Sequence, residues 1–75
     1  MSLKKDLARE IQALEDEMKE LESKRLRSMS ALLESVISKT EIGQDEARFF
    51  RTYTAEIEVK RERLIELKKQ LASIL

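Results

Sequence analysis

The residues best able to do chemistry in this chain are its carboxylates, which recur at helical spacing. Two groups of glutamates could each line one face of a helix: Glu10, Glu17 and Glu20, and Glu58, Glu62 and Glu66. Metal sites in helical bundles combine such glutamates with Glu-x-x-His motifs. The chain has no histidine and no cysteine, so we expect no metal site and no cofactor.

Catalysis also lacks a suitable set of residues. Paired carboxylates work as acid and base when one of them is buried, and these glutamates lie largely off the apolar positions. Tyr53 is the only phenol, and it falls at an apolar position where core packing explains it. The sequence contains no phosphate-binding glycine loop and no nucleophile motif. We expect no catalytic residue and no enzymatic activity.

Basic residues form two clusters, one in each half of the chain, that could contact phosphates. A small nucleic-acid-binding protein would use Arg25, Arg27, Arg61 and Arg63 in this way. However, 15 basic and 15 acidic residues cancel to a net charge of zero, and nucleic-acid-binding domains usually carry net positive charge. Acidic neighbours at helix-pair spacing, such as Glu20 with Lys24, favour a solvated charged face. Nucleic-acid binding therefore stays the alternative.

Apolar residues recur every three or four positions on both sides of the middle of the chain, which predicts two long helices. We call the row of positions facing the other helix the seam. In the first half the seam runs Leu3, Leu7, Ile11, Leu14, Met18, Leu21, Arg25, Met29, Leu32, Val36 and Thr40. In the second half it runs Phe50, Tyr53, Ile57, Lys60, Leu64, Leu67, Leu71 and Ile74.

The only glycine, Gly43, lies between these two runs in a chain without proline. Glycine commonly ends a helix in the left-handed conformation, and Asp45 is suited to cap the next helix. We therefore predict an all-α, antiparallel two-helix hairpin, with a helix at 3–41, a turn at 42–45 and a helix at 46–75. One continuous helix is the alternative, because the seam phase can be continued through Gly43 at a cost of about 1 kcal/mol.

Folding the chain back at Gly43 matches apolar seam residues with apolar partners. The expected pairs are Val36 with Phe50, Leu32 or Leu33 with Tyr53, Met29 with Ile57, Leu21 with Leu64, Met18 with Leu67, Leu14 with Leu71, and Ile11 with Ile74. Arg25 would lie against Lys60 in one polar layer. Leu3 and Leu7 would have no partner, so the first helix should extend past the end of the second.

Further apolar residues lie beside the seam and make the apolar stripe as wide as in a helical bundle. The residues expected at an oligomer or partner interface are Leu3, Leu7, Leu26, Leu33, Ile37, Phe49, Ile65 and Leu75. They predict a homodimer of two hairpins forming a four-helix bundle, or docking on a helical protein. Isolated surface apolar residues are the alternative, and whether the dimer is parallel or antiparallel stays open.

In size and bend the chain resembles the class of small helical-hairpin proteins. This resemblance is one of architecture, and it implies a two-helix fold without implying a function. Apolar runs are too short to cross a bilayer, so we expect no membrane association and a cytoplasmic location. The predicted function is that of a helical interaction module.

Overall fold

Two long helices make up the structure, a computed structural model that describes residues 2–41 and 43–75. Helix α1 spans Leu3–Ser38 and helix α2 spans Gln44–Ile74. They pack side by side along their length, which confirms the predicted all-α hairpin. The long dimension of 55 Å matches the 36 residues of α1 at about 1.5 Å per residue.

The core consists of two apolar clusters at the end of the hairpin away from the bend. Leu7, Ile11 and Leu67 form one cluster, which Leu14, Leu64 and Leu71 flank. Met18, Leu21 and Ile57 form the other, which Tyr53 and Leu64 flank. Ile57 and Leu67 are the most deeply buried residues, at 0% and 1% exposure. Leu64 touches both clusters, so the core is continuous along the seam.

The register of the two helices differs from the predicted one by roughly one heptad, or two helical turns. Ile57 packs with Met18 and Leu21 rather than with Met29. Leu67 packs with Ile11 and Leu7 rather than with Met18. Phe50 shares a cleft with Met29, seven positions before the expected Val36. A shift of one heptad returns every seam position to the seam, so periodicity alone could not distinguish the two registers.

Two predictions depended on the wrong register and are therefore wrong. They are the polar layer of Arg25 with Lys60 and the overhang of α1 that left Leu3 and Leu7 without partners. The Lys60 amine contacts the Glu17 carboxylate at 3.0 Å, and Arg25 lies beside Phe50 instead of Lys60. Leu7 is buried in the core, so it is not left without a partner. Because Phe50 is level with Met29, the start of α2 is level with about residue 35, and α1 projects past α2 at the bend.

Helix α1 ends earlier than predicted, at Ser38, and Lys39 rather than Gly43 provides the left-handed residue. Lys39 has φ 56° and ψ 30°. Its N–H donates to the Val36 carbonyl at 3.3 Å, and the Thr40 N–H donates to the Ser35 carbonyl at 3.0 Å. These two bonds form a Schellman motif, which satisfies carbonyls that the helix end leaves free. These hydrogen bonds end α1 just before Lys39, although glycine is the residue that usually adopts the left-handed conformation at a helix end.

Gly43 has a different role from the predicted one, because it precedes α2 as the N-cap residue. Its φ of −61° and ψ of 127° are extended backbone, which other residues adopt without strain. Asp45 is not the cap: it lies in the first turn of α2 and pairs with Arg48 at 3.0 Å. Ile42, part of the expected turn, lies outside the described residues.

Ion pairs between the helices flank the core. Besides Lys60 with Glu17, Arg63 contacts Glu10 at 3.3 Å. Lys68 contacts Glu15 at 3.6 Å. Moving α2 by one heptad toward the predicted register would place Lys60 near Lys24 instead of Glu17. Each exposed pair contributes only about 0.2–1 kcal/mol, so these charges favour the observed register without dominating its stability.

Candidate interaction surface

Two halves of the hairpin differ in how well they bury their apolar residues. We call residues 3–23 with 55–74 the far half, and residues 24–38 with 44–54 the bend half. All the buried apolar residues in the described chain lie in the far half. Ser28 is the one buried residue of the bend half among the residues described. Many apolar side chains of the bend half are instead exposed on the surface.

An apolar stripe of five exposed side chains follows α1 through the bend half. Its members are Leu26, Met29, Leu33, Val36 and Ile37. Their spacing of three and four places them on one face of the helix. Their exposed fractions range from 39% for Met29 to 82% for Ile37. We refer to these five residues as the α1 stripe.

The α1 stripe continues toward α2 through a cleft between the helices. Leu26 and Met29 line this cleft together with Phe50, and the charged residues Glu22 and Arg25 also line it. Its volume is about 300 Å³. Phe50 is half-buried there, so its ring connects the exposed stripe to the seam. An apolar centre with a polar rim is the usual composition of a protein–protein interface.

The structure brings together only some of the residues predicted for an interface. Leu26, Leu33 and Ile37 share the α1 stripe. The remaining predicted residues are scattered. Phe49 stacks on Tyr53 with ring centroids 6.3 Å apart. Ile65 is exposed on α2 with no apolar residue three or four positions away, and Leu3 and Leu75 are exposed at the far end. Leu7 does not belong to the set because it lies in the core.

Sequence reasoning missed Met29 and Val36 as surface residues. It placed them on the seam opposite Ile57 and Phe50, and the shifted register leaves them without those partners. Val36 is 61% exposed because α1 projects past the start of α2. The spacing from Leu26 to Ile37 contained the signal for a continuous stripe, and knowledge of the register was needed to interpret it.

The basic clusters do not form one band. Since Lys60 contacts Glu17, the cluster containing Arg61 and Arg63 lies beside residues near 10–17 of α1 rather than beside Arg25 and Arg27. The separation is about one heptad, roughly 10 Å. Arg63 is paired with Glu10 across the helices, and Lys24 with Glu20 within α1 at 3.7 Å. Carboxylates thus accompany much of the basic surface that the alternative function requires.

The acidic residues likewise do not converge. Within residues 2–41 and 43–75, no group of three or more acidic side chains is arranged to hold a metal ion. Glu10 and Glu17 are used in contacts with basic residues of α2. In the same described part of the chain, neither helix combines the length and the apolar character that crossing a bilayer requires.

No protein-family model matches the chain, and no curated protein or solved structure matches it significantly.

Proposed function

We propose that this protein is a non-enzymatic helical interaction module that self-associates through the bend half. The observation that carries the proposal is the α1 stripe, in which five apolar side chains on one helix face are each at least 39% exposed in the hairpin. Single exposed apolar residues are normal, but a contiguous group marks an interaction site. A two-helix chain of 75 residues has little core of its own, and association is a common way to gain the missing burial.

Self-association of hairpins is favoured over docking on a nucleic acid by the composition of the surface. The α1 stripe is apolar, whereas nucleic-acid interfaces are polar and strongly basic. The register separates the basic cluster of α1 from the basic cluster of α2. Two members of these clusters, Lys24 and Arg63, pair with glutamates. A second copy of the hairpin carries the same apolar face, and most soluble oligomers are assembled from identical chains.

Sedimentation equilibrium at micromolar concentration tests the proposal directly. We expect a mass of twice the 8.8 kDa chain. The double variant Leu33→Gln/Ile37→Gln should return the mass to that of one chain. Glutamine keeps good helix propensity, and these exposed side chains contribute little to the hairpin core, so circular dichroism should show the helices intact.

A matched control separates the α1 stripe from exposed apolar residues in general. The double variant Val59→Gln/Ile65→Gln removes two exposed apolar side chains from the far half of α2. We expect this variant to keep the mass of two chains. A wild-type mass of one chain would overturn the proposal, and loss of the dimer in the control variant would move the interface to α2.

A further inference from the structure

We propose that the hairpin exchanges α2 with a second copy by opening at the bend between Ser38 and Gln44. In the exchanged dimer each copy is one straight helix, and α1 of each copy packs against α2 of the other. This inference goes beyond the proposed self-association, because it uses the seam rather than the α1 stripe. The phase of the seam, the register of the helices and the backbone of the bend each support it.

The seam of α1 continues in phase into the seam of α2. Val36 is the last apolar seam residue of α1, and Phe50 is the first of α2. They are 14 positions apart in the sequence, which is two heptads. If the bend became helical, both seams would therefore lie along one face of a single helix. A second copy running antiparallel would then contact α1 and α2 on the same side.

The register of the hairpin is compatible with exchange between two straight copies. Leu67 packs against Ile11, so residues level with each other are centred on residue 39, at the bend. Two straight copies in this register keep the α1–α2 contacts of the far half, since only the copy that supplies α2 changes. They also place a second helix beside Val36, which the hairpin leaves 61% exposed.

The bend itself does little to hold the hairpin closed. Lys39 has a left-handed conformation with φ 56°, which is unfavourable for a residue with a Cβ. Gly43 precedes α2 without a side-chain cap. The described residues of the bend, 39–41 and 43, are all exposed, so opening removes no core packing there. Straightening would return Lys39 to a right-handed conformation, and Gly43 is the residue that opposes a helix across the bend.

Protein concentration decides between the closed hairpin and the exchanged dimer. Within one chain, a short connection keeps the second helix near the first at an effective concentration of millimolar order. At micromolar concentration the chain is therefore closed, and the mass measurement reports on the α1 stripe alone. At millimolar concentration a second copy competes with the chain's own α2.

The distance between two nitroxides on one chain tests the exchange. The chain contains no cysteine, so Gln12→Cys/Glu66→Cys introduces both labels at exposed positions next to the packed pair Ile11 and Leu67. The closed hairpin predicts a separation of roughly 20–30 Å, and one straight chain predicts roughly 80 Å. The labelled chain is unfolded in urea with a large excess of unlabelled chain and refolded at millimolar concentration. We expect most of the short distance to be lost.

The labelled chain refolded at the same concentration without unlabelled chain is the control. Exchange between two labelled copies restores the short distance, because position 12 of one copy then lies beside position 66 of the other. Loss of the short distance in the control would mean that the helices have separated, and it would overturn the proposal. A short distance kept in the diluted sample would overturn it too. The mass at micromolar concentration tests the α1 stripe independently of both results.

Two substitutions at the bend should shift the exchange in opposite directions. Gly43→Ala removes the residue that opposes straightening, and each exchanged dimer contains two bends, so we expect the association constant for exchange to rise about thirtyfold. Lys39→Gly favours the left-handed bend and weakens the straight helix, so it should lower that constant. The fraction of short distance lost on dilution with unlabelled chain measures both variants. Equal fractions for the two variants would contradict the proposal.

Discussion

The far half and the bend half of this hairpin contain similar fractions of apolar residues. The far half buries many of them in the core, whereas the bend half leaves many exposed. In the far half, Ile57 and Leu67 are almost fully enclosed, and ion pairs bridge the helices on both flanks. In the bend half, the corresponding space beside α1 is occupied by Ser28, and larger apolar residues lie on the surface. The two helices are therefore held together mainly at the end of the hairpin away from the bend, where the chain does not connect them.

The physical reason lies in which residues the register places opposite each other. Met18 and Leu21 enclose Ile57 from two sides, and burying such a side chain contributes about 1.5–3 kcal/mol. Toward the bend, α1 projects past the start of α2, so residues such as Val36 and Ile37 have no α2 residue beside them. The buried core and the exposed apolar stripe are thus separated along one 55 Å molecule.

Truncation of a core residue should have the largest effect and tests the comparison directly. Ile57→Ala leaves a cavity between Met18 and Leu21, and we expect it to lower the free energy of unfolding by about 2–5 kcal/mol. Leu33→Ala removes similar volume from the bend half, where the side chain is 55% exposed. It should cost less than about 1 kcal/mol.

Urea unfolding followed by circular dichroism measures both variants. The chain should be diluted until it is monomeric, so that loss of self-association does not add to the effect of Leu33→Ala. Equal losses for the two variants would contradict the division into a far half that stabilises the hairpin and a bend half that contributes little to its stability.

A substitution at the C-terminal end of α1 should have a smaller effect on the free energy of unfolding, and it should stabilise the hairpin. Lys39 holds a left-handed conformation at φ 56°, which costs a residue with a Cβ roughly 1 kcal/mol relative to glycine. Lys39→Gly should therefore raise the free energy of unfolding by about 1 kcal/mol. Lys39→Ala, which keeps the Cβ and removes the charge, serves as the control and should leave stability close to wild type. Thermal melting of the three proteins distinguishes the contributions.

A double-mutant cycle on Glu17 and Lys60 tests the register of the two helices. Their side chains are 3.0 Å apart and partly exposed, so we expect a coupling free energy of about 0.5 kcal/mol. The same cycle on Arg25 and Lys60, which the expected register would have paired, should give no coupling. Coupling in the second cycle alone would favour the register predicted from periodicity.

Capping of α2 should show the smallest effect. Gly43 has the extended backbone of an N-cap, and a Cβ built there comes no closer than 3.9 Å to Glu46 Cγ. Gly43→Ser would complete a capping box with Glu46, three residues later. We expect it to stabilise the hairpin by a few tenths of a kcal/mol. The control Gly43→Ala supplies a Cβ without a capping oxygen, and it should melt below the serine variant.

The predictions at Gly43 also show where reasoning from residue type alone fails. A lone glycine between two helical patterns suggested a left-handed helix end, and the chain places that conformation at Lys39 instead. Backbone hydrogen bonds from Lys39 and Thr40 close α1 there, and a lysine can occupy the position at a modest energetic cost. Sequence patterns indicated that a bend exists, but they assigned its two ends to the wrong residues.

Three features of this chain follow from its amino-acid sequence alone: it forms two helices, their seam positions face each other, and its apolar residues exceed those of one seam. Helical periodicity encodes all three, since side chains three and four positions apart share a face. The register is visible only in the folded molecule, and it places Leu7 in the core and Met29 and Val36 on the surface. A shift of one heptad preserves the periodicity, so the choice depends on where the chain turns and on how Met18, Leu21 and Ile57 pack together.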